Sequence, residues 1–156
     1  MKAAGFTLME LLVVLAIVGI LAGIGTANYL KWINTTRADA AAAEVGRLLD
    51  RASSRVRTTN KDVTVTVNTT ANTIDLSQGG VSFSKATLDA TISSLTCSPA
   101  CTGTATAVTA QAPFGGFAND ATTPVAADIK IVISRNGLSR SVYVLGPAAL
   151  LKVVRN

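Results

Sequence analysis

The sequence predicts an α+β fold, in which a long N-terminal α-helix packs on an antiparallel β-sheet. Three observations lead to that class: an uncharged stretch over residues 11–30, apolar residues at helical spacing over residues 41–56, and alternating apolar and polar residues after Asn60. A helix followed by a run of strands is typical of α+β proteins. The chain has 156 residues, so the part after the apolar stretch has room for one small core.

The apolar N-terminal stretch is long enough to cross a bilayer. Leu11 to Leu30 carry no formal charge, and about 20 such residues span the hydrocarbon as a helix. Glu10 stands just before them. A carboxylate that enters hydrocarbon costs about 2–4 kcal/mol, so acids there usually have a partner. The alternative is that Glu10 lies at the headgroup level, where it costs little.

After this stretch the chain turns amphipathic without a helix breaker. Its apolar residues recur at helical spacing and form one stripe: Ala41, Val45, Leu48, Leu49, Ala52 and Val56. No proline precedes Pro99, so a single helix is predicted from Phe6 to Arg57. The alternative is two helices separated near Asn28 or Asn34.

The β part begins with a predicted hairpin. Residues 63–67 alternate strictly, and residues 68–72 have the composition of a turn into a strand at residues 73–76. A further strand is predicted at residues 81–83. Residues 86–127 are rich in Thr, Ala, Ser and Gly, and are interpreted as short strands and long loops.

A second hairpin is predicted near the C-terminus. Residues 128–134 and 138–145 flank Arg135-Asn136-Gly137, and Asn-Gly between two alternating runs is the strongest short-range hairpin signal. Gly146-Pro147 then turns the chain into a last predicted strand at residues 150–154.

The composition argues against an enzyme. The net charge is +5, and the chain has no histidine, which removes the commonest general base and the commonest transition-metal ligand. Its nine acidic residues form no recognisable catalytic or metal-loop motif. We therefore expect no catalytic residues, no metal and no cofactor.

The two cysteines, Cys97 and Cys101, are separated by Ser-Pro-Ala. In a domain outside the cytoplasm, a short disulfide loop is the first interpretation. Half of a metal site is the alternative, and it is disfavoured because the chain has no histidine and no further cysteine.

The run GFTLME at residues 5–10, followed by Leu-Leu-Val-Val, resembles the class III signal of type IV pilin-like proteins. The resemblance implies that prepilin peptidase cuts after Gly5 and N-methylates Phe6, and that Glu10 is the glutamate used in assembly. Cleavage would place an ammonium on Phe6, one helical turn from Glu10. Two opposite charges buried among apolar helices stabilise each other, whereas a lone one is strongly penalised. If the amine belongs to a neighbouring subunit, its pairing with Glu10 would set the axial displacement between the two subunits.

The apolar stretch departs from many major pilins, which carry a proline about two-thirds of the way along it. Here the chain has Gly19, Gly23 and Gly25 instead, each costing about 1 kcal/mol relative to Ala in a helix. Local melting on assembly is compatible with these glycines, and a proline kink is not expected. A cleaved secretory signal is the alternative, since residues 22–27 include several small residues. However, the leader with its single Lys2 ends at Gly5, before the apolar run begins.

The rest of the chain resembles the GspH/FimT group of minor pilins and pseudopilins, in residues 38–76 and in the late hairpin 131–144. This implies a leader at residues 1–5, a transmembrane and assembly helix at 6–30, its amphipathic continuation at 31–58, and a globular pilin domain at 59–156. Such a subunit crosses the bacterial inner membrane once with its domain in the periplasm, and then joins other pilin subunits in a type IV pilus or a type II secretion pseudopilus at the cell surface. A major pilin is the alternative.

A DNA-binding minor pilin that serves DNA uptake is a second functional hypothesis, because some FimT-like proteins bind DNA through arginines near the C-terminus. Arg135, Arg140, Lys152 and Arg155 gather in a stretch without acidic residues. They would contact phosphates in a salt-dependent way. The alternative is that they are ordinary solvated positions on strands and a tail.

Overall fold

The structure, a computed structural model, describes residues 7–98, 107–118, 127–145 and 149–155. Within them, one helix, α1 (Leu8–Thr59), precedes the strands. These are β1 (Val63–Asn68), β2 (Thr73–Gln78), β3 (Val81–Thr87), β4 (Thr91–Ser98), β5 (Ala107–Gln111), β6 (Gly116–Ala118), β7 (Asp128–Arg135), β8 (Leu138–Leu145) and β9 (Leu150–Arg155). The chain divides into two compact units, Met1–Thr35 and Thr36–Asn156, and α1 contributes to both. The boundaries predicted after residues 5, 30 and 58 stay predictions.

The helix α1 is continuous through Asn28 and Asn34, so the alternative with two helices is wrong. Its C-terminal end is closed by Asn60, which has a φ of 51° and donates its backbone N–H to the carbonyl of Val56 at 2.8 Å. Asparagine tolerates the left-handed conformation that helix C-caps require. The helix therefore ends where the chain turns into the first strand.

The predicted first hairpin is confirmed. β1 and β2 pair antiparallel from Thr64 opposite Ser77 to Asn68 opposite Thr73. In the turn, the side-chain oxygen of Asn68 accepts the backbone N–H of Ala71 at 2.8 Å, an asparagine turn of the kind that favours this residue. β1 also pairs with β5, and the sheet has the order β3-β2-β1-β5-β6.

The second predicted hairpin and the last strand are also confirmed. β7 and β8 pair antiparallel up to Arg135 opposite Leu138. The two turn residues, Asn136 and Gly137, have φ values of 47° and 80°, which two-residue hairpin turns of the mirror-image type require. β9 pairs with β8, giving a sheet of order β4-β7-β8-β9.

The α+β class is confirmed, but the strands form two sheets where one was predicted. Residues 86–127 include β4, which has 8 residues, as well as the shorter β5 and β6. The alternation of β4 is hidden because Ser and Thr are frequent in it and its register shifts between Ile92 and Ser94. Its partner, β7, and the partner of β5, which is β1, are distant in sequence, so no local pattern specifies the pairing.

One core joins the second part of α1 to both sheets. The predicted apolar stripe of the helix is buried, and each of its residues is at most 6% exposed. Opposite it lie the inward residues of the strands, among them Val65 and Leu76 from one sheet and Ile131 and Val142 from the other. Burying such side chains is the main favourable term in folding.

The helix approaches the turn between β5 and β6 very closely. The hydroxyl of Ser53 donates to the carbonyl of Gly115 at 2.9 Å, and Arg57 Nε donates to the carbonyl of Phe114 at 2.9 Å. Gly115 has a φ of +75°, and a Cβ placed on it would lie 2.8 Å from the carbonyl oxygen of Ser53. Only glycine satisfies both conditions without a shift.

Candidate functional site

The first part of α1 exposes its apolar side chains on all sides. Its most apolar window has a mean hydropathy of 2.5 and is 0% buried. The exposed large apolar residues here are Leu8, Met9, Leu11, Leu12, Val13, Val14, Leu15, Ile17, Val18, Ile20, Leu21, Tyr29, Leu30 and Trp32. Among the described residues α1 is the one helix long and apolar enough to cross a membrane. A helix that is apolar all round is stable in lipid or among other helices, not in water.

The beginning of α1 is built around Thr7 and Glu10. The Thr7 hydroxyl accepts the backbone N–H of Glu10 at 3.3 Å, and the Thr7 carbonyl accepts the backbone N–H of Leu11 at 3.2 Å. Thr7 is therefore the N-cap, and Glu10 lies in the first turn, where the helix dipole favours a negative charge. The spacing Thr-x-x-Glu is a capping-box pattern, a signal that the sequence interpretation of Glu10 missed. Gly5 and Phe6 lie outside the described residues.

Asp39 on α1 holds two arginines of the C-terminal strands. Arg140 Nε donates to one carboxylate oxygen at 2.5 Å, and Arg155 Nη2 donates to the other at 2.9 Å. The side chain of Arg140 is only 4% exposed, whereas that of Arg155 is 74% exposed. The two arginines are directly opposite each other on β8 and β9. Like charges in that arrangement repel, so the Asp39 carboxylate between them stabilises the strand pair.

Asp89 makes a similar arrangement at the end of the late hairpin. Its carboxylate and its backbone carbonyl both accept from Arg135 Nη1. Arg37 of α1 lies on the other side, with Nη1 at 3.9 Å from the carboxylate. The side chain of Asp89 is 70% exposed, so this ion pair is screened by solvent and contributes less than that of Asp39.

These arginines lower the pKa of both aspartates. The hydrogen bond from Arg140 lowers the pKa of Asp39, against the opposing effect of burial, and the charges of Arg140 and Arg155 lower this pKa further. The hydrogen bond from Arg135 likewise lowers the pKa of Asp89, and the charges of Arg135 and Arg37 add to it. The two sites tie α1 to the sheet of β4, β7, β8 and β9.

Comparison with known families bears on the N-terminal segment. The family model of the prokaryotic N-terminal methylation motif matches residues 1–26. The match indicates a type IV pilin-like protein. Such a signal is processed by prepilin peptidase, and the protein that carries it assembles with other pilin subunits. No curated protein and no solved structure matches the chain.

The four basic residues predicted to contact DNA do not form one exposed patch. Arg140 is buried against Asp39, and the side chain of Arg135 is 17% exposed and paired with Asp89. Lys152 and Arg155 are exposed. Lys152 is opposite Tyr143, and Lys130 Nζ lies 5.4 Å from the centre of the Tyr143 ring. The sequence interpretation missed Lys130, which only the strand register places beside Tyr143.

Two further predictions concern a disulfide between the cysteines and the absence of a metal. Cys97, on β4, is disulfide-bonded, and Cys101 lies outside the described residues, so their pairing stays a prediction. Among the described residues, no three or more His, Cys, Asp or Glu side chains converge in a way that could hold a metal ion. The expected absence of a metal and of a cofactor stays a prediction.

Proposed function

We propose that this pilin-like protein is a structural subunit of a type IV pilus or a type II secretion pseudopilus, of the minor pilin or pseudopilin kind. The observation that carries the proposal is the pairing of a prepilin-type signal with a helix whose most apolar window is 0% buried. That surface needs lipid before assembly and the helices of other subunits afterwards.

Glu10 carries the assembly step in this proposal. Cleavage after Gly5 leaves a free amine on Phe6, which prepilin peptidase then methylates, and the carboxylate of Glu10 pairs with the ammonium of a neighbouring subunit among apolar helices. Each charge alone is costly there, so the pair fixes how far one subunit is displaced along the fibre relative to the next. Thr7 supports this role because it caps the helix and sets Glu10 in the first turn.

The globular part favours the GspH/FimT kind of subunit. Its resemblance rests on residues 38–76 and on the late hairpin 131–144, and these segments supply part of α1, β1, β2, β7 and β8. In this proposal the domain lies in the periplasm while the helix is in the inner membrane, and it reaches the cell surface in the fibre.

The decisive experiment is the mass and N-terminal sequence of the protein from cells with and without prepilin peptidase. We expect a mature chain that starts at N-methyl-Phe6 only when the peptidase is present. A Gly5→Val variant is the control and should stay uncleaved. A mature start near Ala27 would instead identify a cleaved secretory signal and refute the proposal.

DNA binding is a second candidate function, favoured by the row of Lys130, Tyr143 and Lys152 across β7, β8 and β9. Two lysines on the strand positions that flank a tyrosine suit a phosphate backbone with unstacked bases. Binding of the full chain in detergent to DNA at low salt should fall when Lys130 and Lys152 are both replaced by Ala. Lys61→Ala with Lys85→Ala removes the same charge elsewhere and is the control. Equal binding by both double variants would refute this candidate.

A further inference from the structure

Two aromatic residues stand at the end of the apolar part of α1. Tyr29 and Trp32 lie one helical turn apart and are 59% and 63% exposed, respectively. Their rings stack with centroids 6.1 Å apart and planes at 28°. The two rings therefore lie together on one side of the helix.

Two charged residues, Glu10 and Lys31, define the length of the uncharged segment of α1. Lys31 lies between the two aromatic residues in sequence and is exposed. The nearest charged residue on its N-terminal side is Glu10. The uncharged residues Leu11 to Leu30 separate them. At about 1.5 Å per residue this segment measures about 30 Å, which is the thickness of the hydrocarbon core of a bilayer. One bilayer thus fits between the carboxylate and the ammonium.

The three residues at the far end have the chemistry of a headgroup layer. Tyrosine and tryptophan combine an apolar ring with a polar group, and both are enriched where hydrocarbon meets water. Lysine extends its stem along the apolar region and keeps its ammonium among the phosphates. An aromatic pair around a lysine therefore fits an anionic lipid surface.

We propose that Tyr29, Lys31 and Trp32 form an interfacial anchor, which binds the lipid headgroup layer and sets the depth of α1 in the membrane. With this end fixed, Glu10 lies at the opposite headgroup layer while the subunit is in the membrane. The carboxylate does not enter hydrocarbon at this stage, and the bond after Gly5 stays in water. The inference rests on the proposed membrane-anchored subunit and adds what positions it.

The test uses Trp32, which is the one tryptophan of the chain. The uncleaved full chain is placed in vesicles of phosphatidylcholine and phosphatidylglycerol whose acyl chains carry bromine either near the headgroups or near the bilayer centre. We expect stronger quenching of Trp32 fluorescence by the shallow bromines. A variant with Trp32→Phe and Val18→Trp reports from the middle of the span, and deep bromines should quench it more strongly.

The anchor itself is tested with Tyr29→Ala and Lys31→Ala combined. This variant should lose the preference of Trp32 for shallow bromines, whereas a matched Leu15→Ala variant should keep it. Deep quenching of the unmodified chain, an absence of quenching, or an unchanged profile in the double variant would each overturn the proposal. An absence of quenching would also be seen if α1 packed only against other copies of itself. Cleavage is measured separately by mass, so the failure of the anchor is distinguished from the failure of the proposed function.

Discussion

The two parts of α1 belong to one continuous helix but are adapted to different surroundings. In residues 8–32 the large apolar side chains that the structure describes are exposed, whereas residues 38–56 have one apolar stripe, which is buried in the core. Polar and charged residues such as Arg47 and Asp50 cover the outer side of the second part. Burial inside the chain is therefore encoded by a stripe in the second part, and the proposed burial in lipid or between subunits is encoded by the whole circumference of the first part.

The difference also separates two kinds of side-chain pairing. In the second part, Asp39 finds its arginine partners within the same chain. In the first part, the proposed partner of Glu10 belongs to another subunit. A substitution in one part should therefore change folding, and a substitution in the other should change assembly.

The largest expected effect is on assembly, from Glu10→Ala. Losing one partner of a buried ion pair costs about 3–5 kcal/mol, so incorporation into fibres should fall by about a hundredfold or more. The amount of subunit in sheared fibres, relative to the membrane fraction, measures it. Leu12→Ala is the control on the same helix. If both variants were incorporated equally, Glu10 would have no special role in assembly.

The next effect compares the same substitution in the two parts. Leu49 is 0% exposed and Leu12 is 55% exposed. Leu49→Ala should lower the free energy of unfolding by about 3 kcal/mol, because it leaves a cavity in the core, and Leu12→Ala should leave it unchanged. Urea denaturation of the full chain in detergent, followed by circular dichroism, measures both. A similar loss in the two variants would contradict the separation drawn above.

A smaller effect is expected where the helix meets the turn between β5 and β6. Gly115→Ala should cost about 2 kcal/mol, because the residue has a positive φ and its Cβ would crowd Ser53. In contrast, Gly46→Ala lies in the helix with nothing within 4 Å of the new Cβ and should stabilise by about 0.5–1 kcal/mol. The same denaturation measurement distinguishes them, and equal signs would refute the close contact.

The smallest effect is the dependence of stability on pH. The pKa of Asp39 is lowered in the folded chain, so the folded state binds fewer protons than the unfolded state near the ordinary pKa of aspartate. The resulting stabilisation is complete above about pH 4 and is lost as the pH falls through the folded pKa. Midpoints of urea denaturation at pH 6 and pH 3 should therefore differ less in Asp39→Asn than in the unmodified chain. An identical difference would show that Asp39 does not contribute.

Much of the fold could be predicted because local patterns specify it. The apolar stripe of α1, the alternation of β1 and the Asn136-Gly137 turn each determine an element from neighbouring residues alone. The division into two sheets could not be predicted in this way. It depends on β4 pairing with β7 and β5 pairing with β1, and these partners are brought together only by the folded chain.

In the candidate functional site, too, local patterns predict residues within one short run but not contacts between residues distant in sequence. Gly5, Phe6 and Glu10 are recognised from spacing within one short run, and residues 1–26 match a family model, although their individual roles stay predictions. The charge of the arginines alone does not specify which of them are exposed and which are paired with an aspartate. Charge alone predicts that Arg135 and Arg140 contact DNA together with Lys152 and Arg155, whereas the structure places each of these two arginines against an aspartate that lies far away in sequence.

In the proposed fibre, where a subunit would carry load, the ion pairs of Asp39 have a mechanical consequence. Its carboxylate joins α1 to Arg155 at the end of β9, across 116 residues of sequence. Since β9 is an edge strand, it is the strand that a pulling force could peel first. The link to the helix makes peeling require the rupture of an ion pair together with the backbone hydrogen bonds of β8 and β9. In the proposed fibre, a force that enters through α1 would thus be shared with β9 through Asp39 and Arg155.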